Sequence, residues 1–278
     1  SARNRSTLYA MYRLGYNVQM EEQLWMTSFS GTFLNYDLAN VKYYITRKKL
    51  ENNEIYGFEF QEKYDNFYIY KNKNFFGIGY YISENINQNN NPFEMQNEIL
   101  NNLTKTKKRY FEEIEESGIL DCEKQIKNGE EKKITYTVKA RKNCNIYLFS
   151  ENKLNIDIDG KEVFQDYSNI WSFENGIKQI KYLKENEELE FTITTKENPE
   201  LIYIYVSNNE EIQEEFEKTK QNYFKLQKIN KNGLEGTAYF KDDGYLTFGI
   251  AYDKCWKVYV DGKQIQTESV AGAFLGVE

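Results

Sequence analysis

The sequence predicts an α+β protein in which strands dominate. Three observations lead there. Short runs of alternating apolar and polar residues recur from about Lys132 onward, separated by Gly, Asn and Asp. Aromatic residues make up 16% of the chain, with 24 Tyr and 18 Phe, and such rings pack well on a pleated surface. Only two prolines occur, so turns fall to Gly, Asn and Asp, which accept positive φ.

The first hundred residues mix helix and strand signals. Ser6 can cap a short helix running to Arg13, and Leu14-Gly15-Tyr16 turns the chain. Asn40 to Thr46 alternates through Val41, Tyr43 and Ile45 and reads as a strand. Phe67 to Tyr70 and Phe75 to Ile82 read as two strands joined by the polar turn Lys71 to Asn74. A helix then opens at Asn91: Asn caps, Pro92 suits the first helical position, and Phe93, Ile99, Leu100 and Leu103 share one face.

Beyond it the pattern is β. Ile134 to Val138, Asn145 to Phe149, Leu154 to Ile158, Leu189 to Ile193 and Leu201 to Val206 are strands of an antiparallel sandwich, jelly-roll or immunoglobulin-like. Asn208 to Asn222 breaks the pattern as a helix, with Asn208 as cap and Ile212, Phe216 and Thr219 as its stripe. Strands resume at Leu234. The expected division is therefore a mixed α/β region at 1–105, a sandwich at 106–207, a helical linker at 208–222 and a partial second sandwich at 223–278.

Two stretches repeat each other. Asn155-Ile156-Asp157-Ile158-Asp159-Gly160-Lys161 and Lys257-Val258-Tyr259-Val260-Asp261-Gly262-Lys263 are both alternating strands that stop at Asp-Gly, the signature of a tight hairpin. The second unit runs out sooner than the first. An unpaired sheet edge near Glu278 and missing strands are expected on that comparison.

Composition excludes several chemistries. The chain has no histidine, which removes His-based triads and His metal ligands. Cys122, Cys144 and Cys255 fit no zinc or CxxC spacing; a bridge between Cys122 and Cys144 is left open. The net charge of −7 argues against nucleic acid as a partner, and the basic run Lys105 to Arg109 reads as a solvated loop. Phe76-Gly77-Ile78-Gly79-Tyr80 lacks the third glycine of a dinucleotide fingerprint, and no cofactor motif stands elsewhere. Asp157 and Asp159 lack the later ligands of a calcium loop and read as turn residues. No apolar run reaches the length of a membrane helix.

The residues best suited to a ligand are Trp25, Trp171 and Trp256, because an indole face matches the C–H face of a sugar ring. Trp171 lies in a loop reading and is the freest. Trp256 shares its strand face with Val258 and Val260 and is expected to pack in a core. Trp25 fits either role.

Trp256-Lys257-Val258-Tyr259-Val260-Asp261-Gly262-Lys263, followed by Gly272-Ala273-Phe274-Leu275-Gly276-Val277, resembles the C-terminal signature of YfhO-type bacterial membrane proteins. Leu14-Gly15-Tyr16, Trp25, Gly31-Thr32, Asp37, Val41 to Ile45, Ile69 to Lys73 and Asn91-Pro92-Phe93 are similar to that family in the same order, so the resemblance spans nearly the whole chain. It implies a parent with many membrane helices, like the GT-C-type glycosyltransferases that use lipid-linked sugars, associated with glycosylating teichoic-acid-type wall polymers of Gram-positive bacteria. It further implies that this chain is an extracytoplasmic C-terminal region, partnered by its own membrane half and contacting glycan or polymer acceptor. The catalytic acids of such enzymes sit on loops of the membrane half, so no catalytic residue is carried over. Two other readings compete: a bracing or protein-binding module without sugar, and a secreted glycosidase with paired carboxylates.

Overall fold

In a computed structural model, residues 5–19, 25–28, 31–50, 55–75, 77–87, 89–167, 175–219 and 223–278 are described. The fold is α+β and rich in antiparallel sheets, as the alternation predicts.

Its centre is a sandwich. One sheet has five strands in the order Lys161–Tyr167, Leu154–Ile158, Glu188–Thr195, Lys132–Ala140, Leu120–Lys127. The other has four, in the order Lys178–Leu183, Cys144–Ser150, Ile202–Asn208, Phe111–Glu113. Alternate residues Ile134, Tyr136 and Val138 of one sheet and Ile146, Leu148, Ile204 and Val206 of the other fill the space between them. The four-stranded sheet is covered on its second face as well. Strand Cys144–Ser150 is buried at all seven positions, which is why Ile146 to Phe149 is an unbroken apolar run.

Helices cover that second face. They are α1 (Arg5–Arg13), α2 (Phe33–Leu38), α3 (Pro92–Thr104) and α4 (Asn209–Thr219). Tyr12 of α1 meets Phe149 with ring centroids 5.4 Å apart, and Phe93 of α3 stacks on Tyr205 at 4.4 Å. Phe33 of α2 lies against both Phe111 and Phe216. Both expected caps form. Asn91 Oδ1 accepts the N–H of Phe93 at 3.0 Å, and Asn208 Oδ1 accepts that of Glu211 at 3.2 Å.

Buried amides tie these layers together. Asn97 Oδ1 accepts the N–H groups of Tyr110 and Phe111 at 3.0 and 2.9 Å, and its Nδ2 donates to Phe111 O at 2.9 Å. Gln96 Nε2 and Asn35 Nδ2 both donate to Leu14 O at 2.9 Å, so three remote segments share one carbonyl. The Asn-rich composition is thus used inside the protein, satisfying loop backbone that no ladder reaches.

The remaining strands differ from the sequence expectation. Phe67–Asn72 and Gly79–Ile82 do not form a hairpin. Phe67–Asn72 is the middle strand of a three-stranded sheet between Tyr43–Thr46 and Phe58–Tyr64. Gly79–Ile82 instead pairs with Tyr245–Ala251, in a sheet ordered Glu268–Val270, Phe274–Val277, Tyr245–Ala251, Gly79–Ile82. The C-terminal strands therefore share a sheet with the first hundred residues, and Phe274–Val277 is paired on both sides. Val270, Ala271, Ala273 and Phe274 pack in the same core as Leu14, Phe33 and Phe93.

Both Asp-Gly turns form, with φ of +49° and +75° at Asp159 and Gly160 and +50° and +78° at Asp261 and Gly262. Their settings differ. The first hairpin belongs to the five-stranded sheet, whereas Val258–Val260 and Lys263–Ile265 make a two-stranded sheet of their own. No layer among the described residues covers either face, and Tyr259 and Val260 are both exposed. Cys122, Cys144 and Cys255 are free thiols, and the first two lie in opposite sheets of the sandwich.

Candidate functional site

The two sheets of the sandwich are unequal at one edge. Leu120–Lys127 has eight residues there and Phe111–Glu113 only three, so the longer strand overhangs its counterpart. A cleft of about 300 Å³ opens at this edge. Ile134, Tyr136 and Ile204 line it from the apolar interior, and Glu113, Glu115, Lys124 and Glu200 supply charge.

Packing and hydrogen bonds fix its walls. Tyr136 stacks on Phe191 at 5.1 Å, and Lys124 Nζ lies 5.6 Å from the Tyr136 ring centroid. Lys124 also pairs with Glu115 Oε1 at 2.6 Å. Burial works to lower the Lys124 pKa, but Glu115 and Tyr136 outweigh it and the ammonium is held above its usual value. Tyr136 is pushed up to about 12, chiefly by burial. In the facing four-stranded sheet the Tyr205 hydroxyl lies 3.0 Å from Glu113 Oε1 and 3.1 Å from Glu94 Oε1, and accepts from Asn91 Nδ2 at 2.8 Å. Burial and the two carboxylates hold this phenol well above its usual pKa, so it stays protonated and donates. Asn91 therefore caps α3 with one end of its amide and braces the cleft wall with the other.

The arrangement offers an apolar floor for a flat C–H face and a polar rim for hydroxyl groups. Among the described residues no group of three or more Cys, Asp or Glu side chains is placed to hold a metal ion.

The tryptophans are elsewhere. Trp256 is 42% exposed beside the two-stranded hairpin, its Nε1 donating to Ala251 O at 3.2 Å. The core position expected from its alternation with Val258 and Val260 is not what the structure has, because no layer among the described residues faces that hairpin. Trp25 pairs with Gln19 through the backbone, but its side chain lies outside the described residues. Trp171 lies outside them altogether. The basic run is the exposed loop expected of it, and surface ion pairs neutralise much of its charge. Lys105 pairs with Asp242, Lys108 with Glu211 and Glu215, and Arg109 with Glu94.

A family model described as bacterial membrane protein YfhO matches residues 1–278. The chain belongs to the YfhO family. Comparison with curated proteins finds no match. In this YfhO-family chain no helix among the described residues is long and apolar enough to cross a membrane.

One more buried group is set apart by its chemistry. Asp37 of α2, 1% exposed, accepts from Asn72 Nδ2 at 2.5 Å, while its Oδ2 has no hydrogen-bond partner among the described residues. Burial raises its pKa to about 8, against the opposing pull of the Asn72 amide. Tyr16, Tyr80 and Tyr223 feel its charge. Asp37 and Asn72 both fall in stretches that carry the family resemblance.

Sequence reasoning did not find the cleft. Its residues come from the segments 113–115, 124–136 and 199–205, and only strand pairing within each sheet and the packing of one sheet on the other bring these together. The one local signal is Tyr136, an aromatic residue within an alternating strand.

Proposed function

We propose that this chain is a non-catalytic, extracytoplasmic portion of a YfhO-family membrane protein that takes part in glycosylating wall polymers of the teichoic-acid type, and that it holds a sugar of the acceptor in the sandwich-edge cleft. The cleft carries the reading. Its volume suits one or two sugar rings, and its apolar floor with a charged rim is what a pyranose requires. Catalysis is assigned to the membrane half, as the family resemblance implies.

The test is isothermal titration of this chain with N-acetylglucosamine oligomers and with glucosylated poly(glycerol phosphate), for wild type and Lys124→Ala/Glu200→Ala. Both side chains lie on the rim of the cleft. Binding should weaken at least fivefold in the double variant with an unchanged Tm. Equal binding by both proteins, or no binding of either glycan, refutes the cleft reading and favours a bracing module. Transfer of sugar from a lipid-linked donor by this chain alone refutes its non-catalytic role.

A further inference from the structure

The three-stranded sheet presents one face that no other described element covers. Register defines the face: Tyr43 lies opposite Lys71, Ile45 opposite Ile69, and Phe67 opposite Tyr64. Tyr43, Ile45, Tyr64 and Phe67 are 48%, 60%, 73% and 36% exposed, a cluster of large apolar side chains where solvent-facing strand positions are usually polar. The opposite face is engaged at one end, where Phe58 packs on Tyr36 of α2 at 5.4 Å and the Tyr70 hydroxyl accepts the N–H of Leu50 at 2.9 Å, while Phe60 on the same face stays 52% exposed.

Charge is distributed unevenly around this face. The net charge of the chain is −7, yet Lys42, Arg47, Lys48 and Lys49 flank the edge strand Tyr43–Thr46 with no acid between them. All four are exposed. Lys42 Nζ lies 5.4 Å from the Tyr43 ring centroid and the Arg47 guanidinium 5.5 Å from that of Phe67, so cations and rings form one surface. The acids nearest this face are Glu59 and Glu62, opposite Lys71 and Ile69 on the far strand Phe58–Tyr64, and Asp65 in the turn after it; they stand at the other side of the sheet from the basic edge strand, and Glu59 is paired with Lys73 at 3.5 Å.

From this geometry we infer that the face of Tyr43, Ile45, Phe67 and Ile69, led by the basic edge strand, docks on an anionic lipid bilayer. The chemistry is complementary on both counts. Tyrosine rings and aliphatic tips suit the headgroup–acyl boundary, and a cluster of Lys and Arg is drawn to anionic headgroups. Membership of a membrane-protein family places a bilayer near this chain. A second copy of the chain is the poorer occupant, since it would set the same basic strand against itself.

The experiment is flotation of the 278-residue chain with vesicles of phosphatidylcholine alone and of phosphatidylcholine mixed with phosphatidylglycerol, over a salt series. Wild type should float with the anionic vesicles and be released as salt rises. Lys42→Glu/Arg47→Glu should lower partition more than tenfold. Tyr43→Ser/Ile45→Ser should lower it at least fivefold at low salt, and both pairs are exposed enough to leave the Tm unchanged. Equal flotation with both vesicle types, loss of flotation in the wild type, or variants that float like wild type would overturn the inference. So would tight binding of soluble poly(glycerol phosphate) by the same four residues in the absence of vesicles, which would make the polymer the partner. Lys124→Ala/Glu200→Ala should float normally, so failure of the cleft reading leaves this result standing and the reverse holds too.

Discussion

Asp37→Asn should make the protein less sensitive to rising pH. The folded-state pKa of about 8 lies above the ordinary 3.8, so the folded protein binds this proton more tightly than the unfolded chain. Stability supplied by the protonated carboxyl is therefore complete below about pH 4 and is lost as pH rises toward 8. Every tenfold difference in proton affinity between the two states corresponds to about 1.4 kcal/mol, so wild type loses roughly 3–4 kcal/mol from this group between pH 5 and pH 8. Asparagine keeps an oxygen for the Asn72 amide and puts an uncharged group where Oδ2 stands without a partner. The variant should thus gain on wild type by that amount across the same range, roughly 10 °C in Tm at pH 8. Urea titrations followed by far-UV circular dichroism at pH 5, 6.5 and 8 measure it. A stability gap that stays constant with pH would refute the reasoning, because it would mean that Asp37 ionises alike in both states.

Two other substitutions probe the fold. Asn97→Ala removes three buried hydrogen bonds to the segment entering the sandwich and should cost about 2–4 kcal/mol in chemical denaturation, whereas an effect under 1 kcal/mol would show that water replaces the amide. Trp256→Ala should change stability by less than about 0.5–1 kcal/mol, as expected of an exposed side chain outside the packed cores, and a loss near 3 kcal/mol would restore the core position suggested by its alternation.

What could be read from the sequence was what local chemistry determines. The caps at Asn91 and Asn208 and the two Asp-Gly turns depend on residues within a few positions of each other, and all of them form. The sandwich strands were legible for the same reason, since alternation is a local property. Partner choice was not. Nothing near Gly79–Ile82 announces that it pairs with Tyr245–Ala251, and its closeness to Phe67–Asn72 suggested a hairpin instead. Trp256 shows a related limit. Alternation says which residues share a face, but whether another layer covers that face is settled elsewhere in the chain. The cleft depends on a mismatch in strand length across two sheets, which no single stretch contains.

The pairing of Gly79–Ile82 with Tyr245–Ala251 also sets a timetable for synthesis. The Tyr81 hydroxyl donates to the carbonyl of Asp243, a residue 162 positions later. At about 5–20 residues per second, the ribosome leaves this strand without its neighbour for roughly 8–30 seconds. The sandwich, whose strands all fall within residues 111–208, can assemble in that interval. The early strand cannot, and it carries Tyr80, Tyr81 and Ile82, all buried once folding is complete. During those seconds the nascent chain displays an aromatic strand with open backbone groups, the kind of segment that holding chaperones bind. A stop codon placed before Tyr245 would leave that segment permanently uncovered.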